Sequence, residues 1–247
     1  MTANTTPPTE SPTVAIIGAG PAGCAAGVFC ARAEFETLVI SHGRSTLNKC
    51  AFLENYLGFP LGISPQSFLD LSRRHAEEAG CRFIDGVLQT VTKAATDGRF
   101  ELTVDEGNHT ADYVIATSWA NSDFFEPLAV ETTPESESSS IEHVVTNDNG
   151  KTAVDGVYAA GRITNTHHQA LVNAGDGARV GVNLIKHHNP EFYNDWVASE
   201  GYYAEYDREV PPGVEEISHE ERQHRTTVAT EWLVDFFISR ETESKPE

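Results

Sequence analysis

The sequence predicts an α/β fold: a parallel sheet flanked by helices, a small antiparallel β element, and a C-terminal helical extension. Three observations carry this reading. Short apolar runs at 14–17, 37–40 and 112–118 alternate with stretches of helical length. A glycine-rich turn, Gly18 to Gly23, follows the first run directly and opens a helix. A last stretch, 217–239, repeats its apolar residues at helical spacing.

In chain order, residues 1–12 (MTANTTPPTESP) offer little to bury and read as a disordered tail. Val14 to Ile17 is apolar throughout, the pattern of a strand covered on both faces. A helix follows from roughly Ala22 to Ala33, and Thr37 to Ile40 makes a second buried strand. Residues 41–65 form a long loop containing ENYLGFPLGISP. Ser64 is the candidate N-cap of the next helix, with Pro65 in its first turn, and Gly80 stops it after Phe68, Leu69, Leu71 and Ala76. Residues 81–107 hold strands, with Asp97-Gly98 as a hairpin turn between Val91 and Phe100. A buried strand at 112–118 comes next. Residues 119–140, ending in PESESSS, read as a linker or exposed loop. IEHVV and KTAVDGVYAAG then resume strand patterning across an NDNG turn, and 141–153 is expected to complete a three-stranded antiparallel element with 87–104. Residues 169–187 are helical, with Ala170, Leu171, Ala174, Ala178, Val182 and Ile185 on the buried face.

This places one nucleotide-fold domain at 13–187 and an extension at 188–247. In the extension, Ser218 and Glu221 fit a capping box for a helix at about 217–239. Val228, Trp232, Leu233, Phe236 and Phe237 form its apolar stripe. The stripe either packs on its own domain or serves a homodimer or partner interface.

Composition narrows the function. Of 247 residues, 37 are acidic and 17 basic, a formal net charge of −20. Such a field repels nucleic-acid phosphates and anionic lipid. Only five of the basic residues are Lys, which suits a halophilic protein kept soluble by acidic charge in a salty cytoplasm; an ordinary acidic protein is the alternative. No apolar run reaches the ~20 residues that span a bilayer, and no secretory signal is visible, so a cytoplasmic location is expected. The four cysteines, at 24, 30, 50 and 81, form no C-x-x-C pair. Neither His167-His168 nor His187-His188 has metal-ligand spacing with a carboxylate, so no metal site is expected.

Gly18-Ala19-Gly20-Pro21-Ala22-Gly23 is G-x-G-x-x-G after a buried strand and at a helix mouth. In that context Gly18 permits the tight turn, Gly20 lets a pyrophosphate approach the backbone, and Gly23 lets helix and strand pack closely. The helix N-terminus supplies unpaired N–H groups and partial positive charge to the anion. This is a Rossmann-like dinucleotide loop. The second strand of such folds ends in an acid for the ribose hydroxyls, but here it ends Ser41-His42-Gly43-Arg44. Ser41 and Arg44 suit a 2′-phosphate, which keeps NADP open as a ligand.

VAIIGAGPAG, ENYLGFP, YVIATS and GVYAAGRITNTHHQALVNAGDGARVGVNLI stand in the order found in low-molecular-weight thioredoxin reductases. Over roughly residues 12–187 the chain resembles the FAD domain of that family of pyridine-nucleotide disulfide oxidoreductases. The resemblance implies that Gly18, Ala19, Gly20, Pro21, Ala22 and Gly23 hold the FAD pyrophosphate. It implies that Ser41 lies near the adenosine ribose, that Val87 meets adenine through its backbone, and that Asn55 faces the flavin. Thr117 belongs to the strand end that reads A-T-G in the family and A-T-S here. Gln169 and Ala170 start the helix whose N–H groups meet the flavin pyrimidine edge.

Two departures bear on mechanism. After Gly161 the family places Asp, and this chain has Arg162. A guanidinium only donates hydrogen bonds, so it cannot take over the acceptor role, although it suits a phosphate oxygen. The family also inserts a nicotinamide-nucleotide domain bearing C-x-x-C between YVIATS and GVYAAG, where this chain has only residues 119–140. The expectation is therefore an FAD-dependent oxidoreductase without its own NADPH domain or dithiol, taking electrons from free NAD(P)H or a partner protein. The alternatives are a non-catalytic FAD-binding subunit or an NADP-binding protein. Cys50, in the loop before ENYLGFP, is the weak redox candidate.

Overall fold

The computed structural model describes residues 11–43, 45–105, 107–119, 122–136, 139 and 141–243, with 240–243 described as backbone alone. The chain divides into two units, Met1–His188 and Asn189–Glu247.

In the first unit β1 (Thr13–Ile17) is buried at every position. Its Val and Ile residues are β-branched and suit a strand covered on both faces. The glycine turn leads into α1 (Pro21–Arg32), and β2 (Glu36–Ser41) returns parallel to β1, with Ile17 opposite Ile40. α2 (Pro65–Glu78) is capped by Ser64, whose hydroxyl accepts the Ser67 N–H at 3.0 Å. β3 (Arg82–Asp85) pairs parallel with β2. β4 (Leu88–Lys93), β5 (Phe100–Val104) and β6 (Gly107–Ala111) form a three-stranded antiparallel sheet. β7 (Tyr113–Ala116) rejoins the main sheet beside β1. A 3-10 helix, Asp123–Leu128, precedes a two-stranded antiparallel pair, β8 (Thr132–Pro134) and β9 (Glu142–Val144). β10 (Val157–Ala159) completes a parallel sheet of order β10-β7-β1-β2-β3. α3 (Ala170–His188) then packs against α1 almost backbone to backbone. A Cβ on Gly177 would lie 2.0 Å from the Ala22 carbonyl oxygen, so only glycine fits that crossing.

The core joins both sheets: Ala15, Ile17, Ile40, Val114 and Val157 meet Val91, Phe100 and Leu102, together with Phe124 and Phe125 of the 3-10 helix. Two expectations are corrected here. The third antiparallel strand is β6, not 141–153; β9 pairs with β8 instead. The stretch 119–140 is more than a linker, since Phe124 and Phe125 are buried and 132–134 is a strand. The tail expected at 1–12 falls mostly outside the described residues, but the Pro12 carbonyl already accepts the Glu36 N–H at 2.9 Å.

In the second unit β11 (Trp196–Ser199) pairs parallel with β12 (Val214–Ile217), a strand that the sequence reading lacked. The Glu216 carboxylate accepts the N–H groups of Gly201 and Tyr203 at 2.8 and 2.9 Å, and Trp196, Tyr202 and Tyr203 pack edge to face. α4 (His219–Glu243) is capped by the Ser218 hydroxyl, which accepts the Glu221 N–H at 3.1 Å. The Glu221 carboxylate goes to Arg225 Nε at 2.7 Å, so only half of the capping box forms. None of the described α4 side chains is buried. Trp232 and Phe236 stack on each other at 5.7 Å, and Leu233 and Phe237 are exposed.

Candidate functional site

The site grows from the carboxyl end of β1. Gly18 has φ +113°, a conformation that favours glycine, and its N–H donates to the Ile40 carbonyl at 2.8 Å. The Thr117 hydroxyl donates to the carbonyls of Ile17 and Gly18 at 2.9 and 3.0 Å, tying the end of β7 to the turn. A Cβ on Gly23 would stand 1.8 Å from the Gly18 carbonyl oxygen, so the loop closes only with glycine there. Gly20 is different: the nearest atom to a Cβ would be Ser45 Oγ at 3.5 Å, so its missing side chain opens space. Gly20 also caps α1 without any side-chain acceptor, and the first turn carries no acid. The N–H groups of Ala22 and Gly23 therefore have no intrahelical acceptor and stand at the positive end of the helix dipole.

These groups face a cleft of about 1180 Å³ in the first unit. Gly18, Ala19, Gly20, Pro21, Ala22, Ser41, Cys50, Asn55, Val87, Thr117, Arg162, Gln169 and Ala170 all line it. Gly23 and Gly161, also expected at the site, are not among the residues that line it. Gly161, at φ +78°, donates its N–H to Asp176 Oδ2 at 2.7 Å, so an α3 carboxylate holds the turn after β10. At one end of the cleft Ser41 is registered beside Asp85, and the Gly86 N–H donates to the Ser41 carbonyl at 2.9 Å. The Val87 backbone is already engaged there. Its N–H donates to Asp105 Oδ1 at 2.7 Å and its carbonyl accepts the Asp105 N–H at 3.2 Å, so only a second carbonyl lone pair is left for a base. Arg44 lies outside the described residues.

At the other end Asn55 Nδ2 donates to Gln169 Oε1 at 2.8 Å, joining the long loop to the start of α3. Asn173 Nδ2 donates to the carbonyls of His167 and Gln169, while its buried Oδ1 has no hydrogen-bond partner. Arg162 is caged: Nη1 donates to the Thr166 carbonyl at 2.8 Å, Nη2 lies 3.4 Å from Glu135 Oε1, and the guanidinium sits 4.7 Å over the Trp119 ring. Its buried Nε has no partner. His168 stacks on Trp119 at 4.6 Å. Partial burial and then the nearby Arg162 push the His168 pKa down, against a weaker opposite pull from Glu135, which favours the neutral ring.

Sequence reasoning missed Trp119, His168, Asn173, Asp176, Arg73 and Asp85. Trp119 stood at the edge of a presumed linker, and His168 was weighed only as a metal ligand. The one signal for Asp176 was a carboxylate inside a glycine-spaced helix. No group of His, Cys, Asp and Glu among the described residues has metal-binding geometry, and no described helix is long and apolar enough to cross a membrane.

The cysteines separate by environment. Cys50 is exposed and its thiol donates to the Phe52 carbonyl at 2.9 Å. Cys24 and Cys81 are buried and burial pushes both thiols up to about 12; Cys30 is raised for the same reason. Raised thiols stay protonated at pH 8, and the thiolate is the reactive form. An aromatic disulfide reagent at pH 8 is expected to titrate one thiol per folded chain and four in denaturant.

A parallel sheet with a glycine turn at a helix mouth, opening on a cleft at the carboxyl ends of the strands, defines a Rossmann-like dinucleotide-binding fold. No family model matches the chain. Among curated proteins it is 33% identical over 109 residues to the thioredoxin reductase of Aquifex aeolicus, covering 43% of this chain and 33% of that one. It is 34% identical over 110 residues to the thioredoxin reductase of Treponema pallidum, covering 43% and 35%. The chain thus spans about a third of the length of the curated relatives it matches. Among solved structures, a thioredoxin reductase from Gloeobacter violaceus superposes with a TM-score of 0.62 at 16% identity, covering 74% of this chain and 97% of that one. The thioredoxin reductase of T. acidophilum gives 0.58 at 17%, covering 73% and 99%. The chain's relatives and structural neighbours are therefore thioredoxin reductase-like oxidoreductases.

Proposed function

We propose that the chain is an FAD-binding flavoprotein and an oxidoreductase that works without a nicotinamide domain or redox dithiol of its own. One observation carries this reading: the Gly18–Gly23 turn opens on a cleft that reaches Ser41 and Val87 on one side and Asn55 and Gln169 on the other. The residues present fit the group. The open position at Gly20 admits a pyrophosphate, and the first turn of α1 offers it N–H groups. Asn173 Oδ1 and Arg162 Nε are buried polar atoms without partners at residues lining the cleft, the condition of groups that a ligand satisfies.

When bound, the flavin supplies the electron and hydride chemistry. The chain's own residues bind and orient. The first turn of α3, from Ala170, places N–H groups that lack an intrahelical acceptor where they stabilise developing negative charge, while the Gln169 N–H is already given to the His167 carbonyl at 2.7 Å. The Asn55–Gln169 bond fixes the long loop against that terminus. Arg162, held by Trp119, Thr166 and Glu135, contributes a fixed positive charge in place of the family's Asp. Electrons come from diffusible NAD(P)H or a partner protein in a cytoplasm of high salt, and the exposed stripe of α4 serves a homodimer.

The test is an absorbance spectrum of the purified protein in high salt, before and after anaerobic NADPH. Flavin bands that bleach support the oxidoreductase. The absence of flavin after reconstitution overturns the assignment. Bands that persist favour a second reading, a non-catalytic FAD-binding subunit. That reading draws on the cysteines: Cys50 is the only one lining the cleft, and the other three thiols are buried and raised.

A further inference from the structure

The ribose corner of the cleft lacks the acid that should end β2, because Ser41 stands there. The neighbouring strand supplies one. Ser41 and Asp85 are register partners in the parallel β2–β3 pair, each the last residue of its strand. Registered residues of adjacent strands lie ~4.8 Å apart and present their side chains to the same face. Both residues line the cleft. The Asp85 side chain is 76% exposed, and its one ion pair among the described residues, to Arg73 Nη1 at 3.4 Å, is loose. A carboxylate accepts at about four lone-pair sites, so that pair leaves Asp85 free to accept more.

We propose that Asp85 replaces the missing β2 acid and accepts the ribose 2′-hydroxyl of an adenine dinucleotide, so that the cleft selects a free 2′-hydroxyl over a 2′-phosphate. This rests on the dinucleotide reading of the same cleft. Charge at the corner points the same way. Asp70 and Asp85 line it with Arg73, whose guanidinium is also bound to Glu77 at 3.0 Å and lies 4.4 Å over the Phe83 ring. The Arg73 charge is thus already matched by two carboxylates, Glu77 and Asp85, with Asp70 a further negative charge on the cleft wall, which disfavours an added phosphate dianion. This argues against the NADP ligand that Ser41 and Arg44 suggested from sequence.

The experiment is calorimetric titration of the full-length chain, freed of flavin, with FAD, ADP, 2′-deoxy-ADP and adenosine 2′,5′-bisphosphate in wild type and Asp85→Ala. Wild type is expected to bind ADP about tenfold or more tighter than 2′-deoxy-ADP, the size of one hydrogen bond to a charged group. It should bind the 2′-phosphate compound more weakly still. In Asp85→Ala the preference for the 2′-hydroxyl should vanish, a change in ratio that a merely structural role would not produce. Wild type binding ADP and FAD but indifferent to the 2′-hydroxyl overturns the role of Asp85 and leaves the FAD reading standing. So does a preference that survives in Asp85→Ala, or tighter binding of the 2′-phosphate compound. Wild type that binds neither FAD nor ADP overturns both. The comparison of ADP with 2′-deoxy-ADP on wild type needs no variant, so it decides even if Asp85→Ala folds poorly.

Discussion

Gly20→Val is expected to abolish FAD binding while leaving the chain folded, whereas Gly23→Ala, a smaller change three residues on, is expected to disrupt the fold. The geometry separates them. Gly20 has φ −79° and ψ −173°, extended backbone that any residue adopts, and a new Cβ would find Ser45 Oγ no closer than 3.5 Å. Its branched side chain would enter the cleft, where the proposed pyrophosphate must approach the α1 N–H groups. Loss of those contacts should weaken FAD by more than about a hundredfold, which is ~2.7 kcal/mol. At Gly23 the new Cβ would sit 1.8 Å from the Gly18 carbonyl oxygen and 2.7 Å from Thr117 Oγ1. The first of these is backbone, so it cannot rotate away, and the turn that joins β1 to α1 must move. Overpacking of this kind costs ~3 kcal/mol or more. Circular dichroism melts and flavin occupancy check both variants together. A Gly20→Val chain that keeps its flavin refutes the site. A Gly23→Ala chain that melts like wild type refutes the loop geometry.

The contrast also shows which parts of the molecule could be read from sequence. The demand for glycine at 18, 20 and 23 is local: a turn, an open approach and a close crossing within six residues. β1, β2 and β7 are legible for a similar reason, since each centres on a short apolar run (14–17, 38–40, 114–116) that the structure buries. What was misread depends on distant partners. β6 is Gly-Asn-His-Thr-Ala, a run with little strand propensity of its own, which forms because β5 pairs with it across a short turn. The stretch 141–153 was expected in its place, but β9 pairs with β8. The caged Arg162 was legible only as a departure. Its partners Trp119 and Glu135 are supplied by a segment 27–43 residues earlier, and no local pattern announces that meeting.

The same segment gives the second large expectation. Phe125→Ala should destabilise the first unit by ~3–5 kcal/mol, the cost of emptying a buried aromatic site. For a chain of this size each kcal/mol lowers Tm by ~2–4 °C, so the melt should fall by about 10 °C. A linker residue would shift it by less than ~0.5 kcal/mol. Phe125 is 2% exposed and packs edge to face on Phe124, within the core that holds Val91, Phe100 and Leu102 of the antiparallel sheet. A conservative Phe125→Leu, which keeps most of the apolar volume, should recover most of the loss. Thermal melts of the pair distinguish the two views of residues 119–140. If Phe125→Ala melts with wild type, the stretch is the scar of a missing insert. If it falls and Phe125→Leu recovers, the stretch closes the core of the first unit, and its two phenylalanines hold β7 and β10 to the antiparallel sheet without help from a second nucleotide domain.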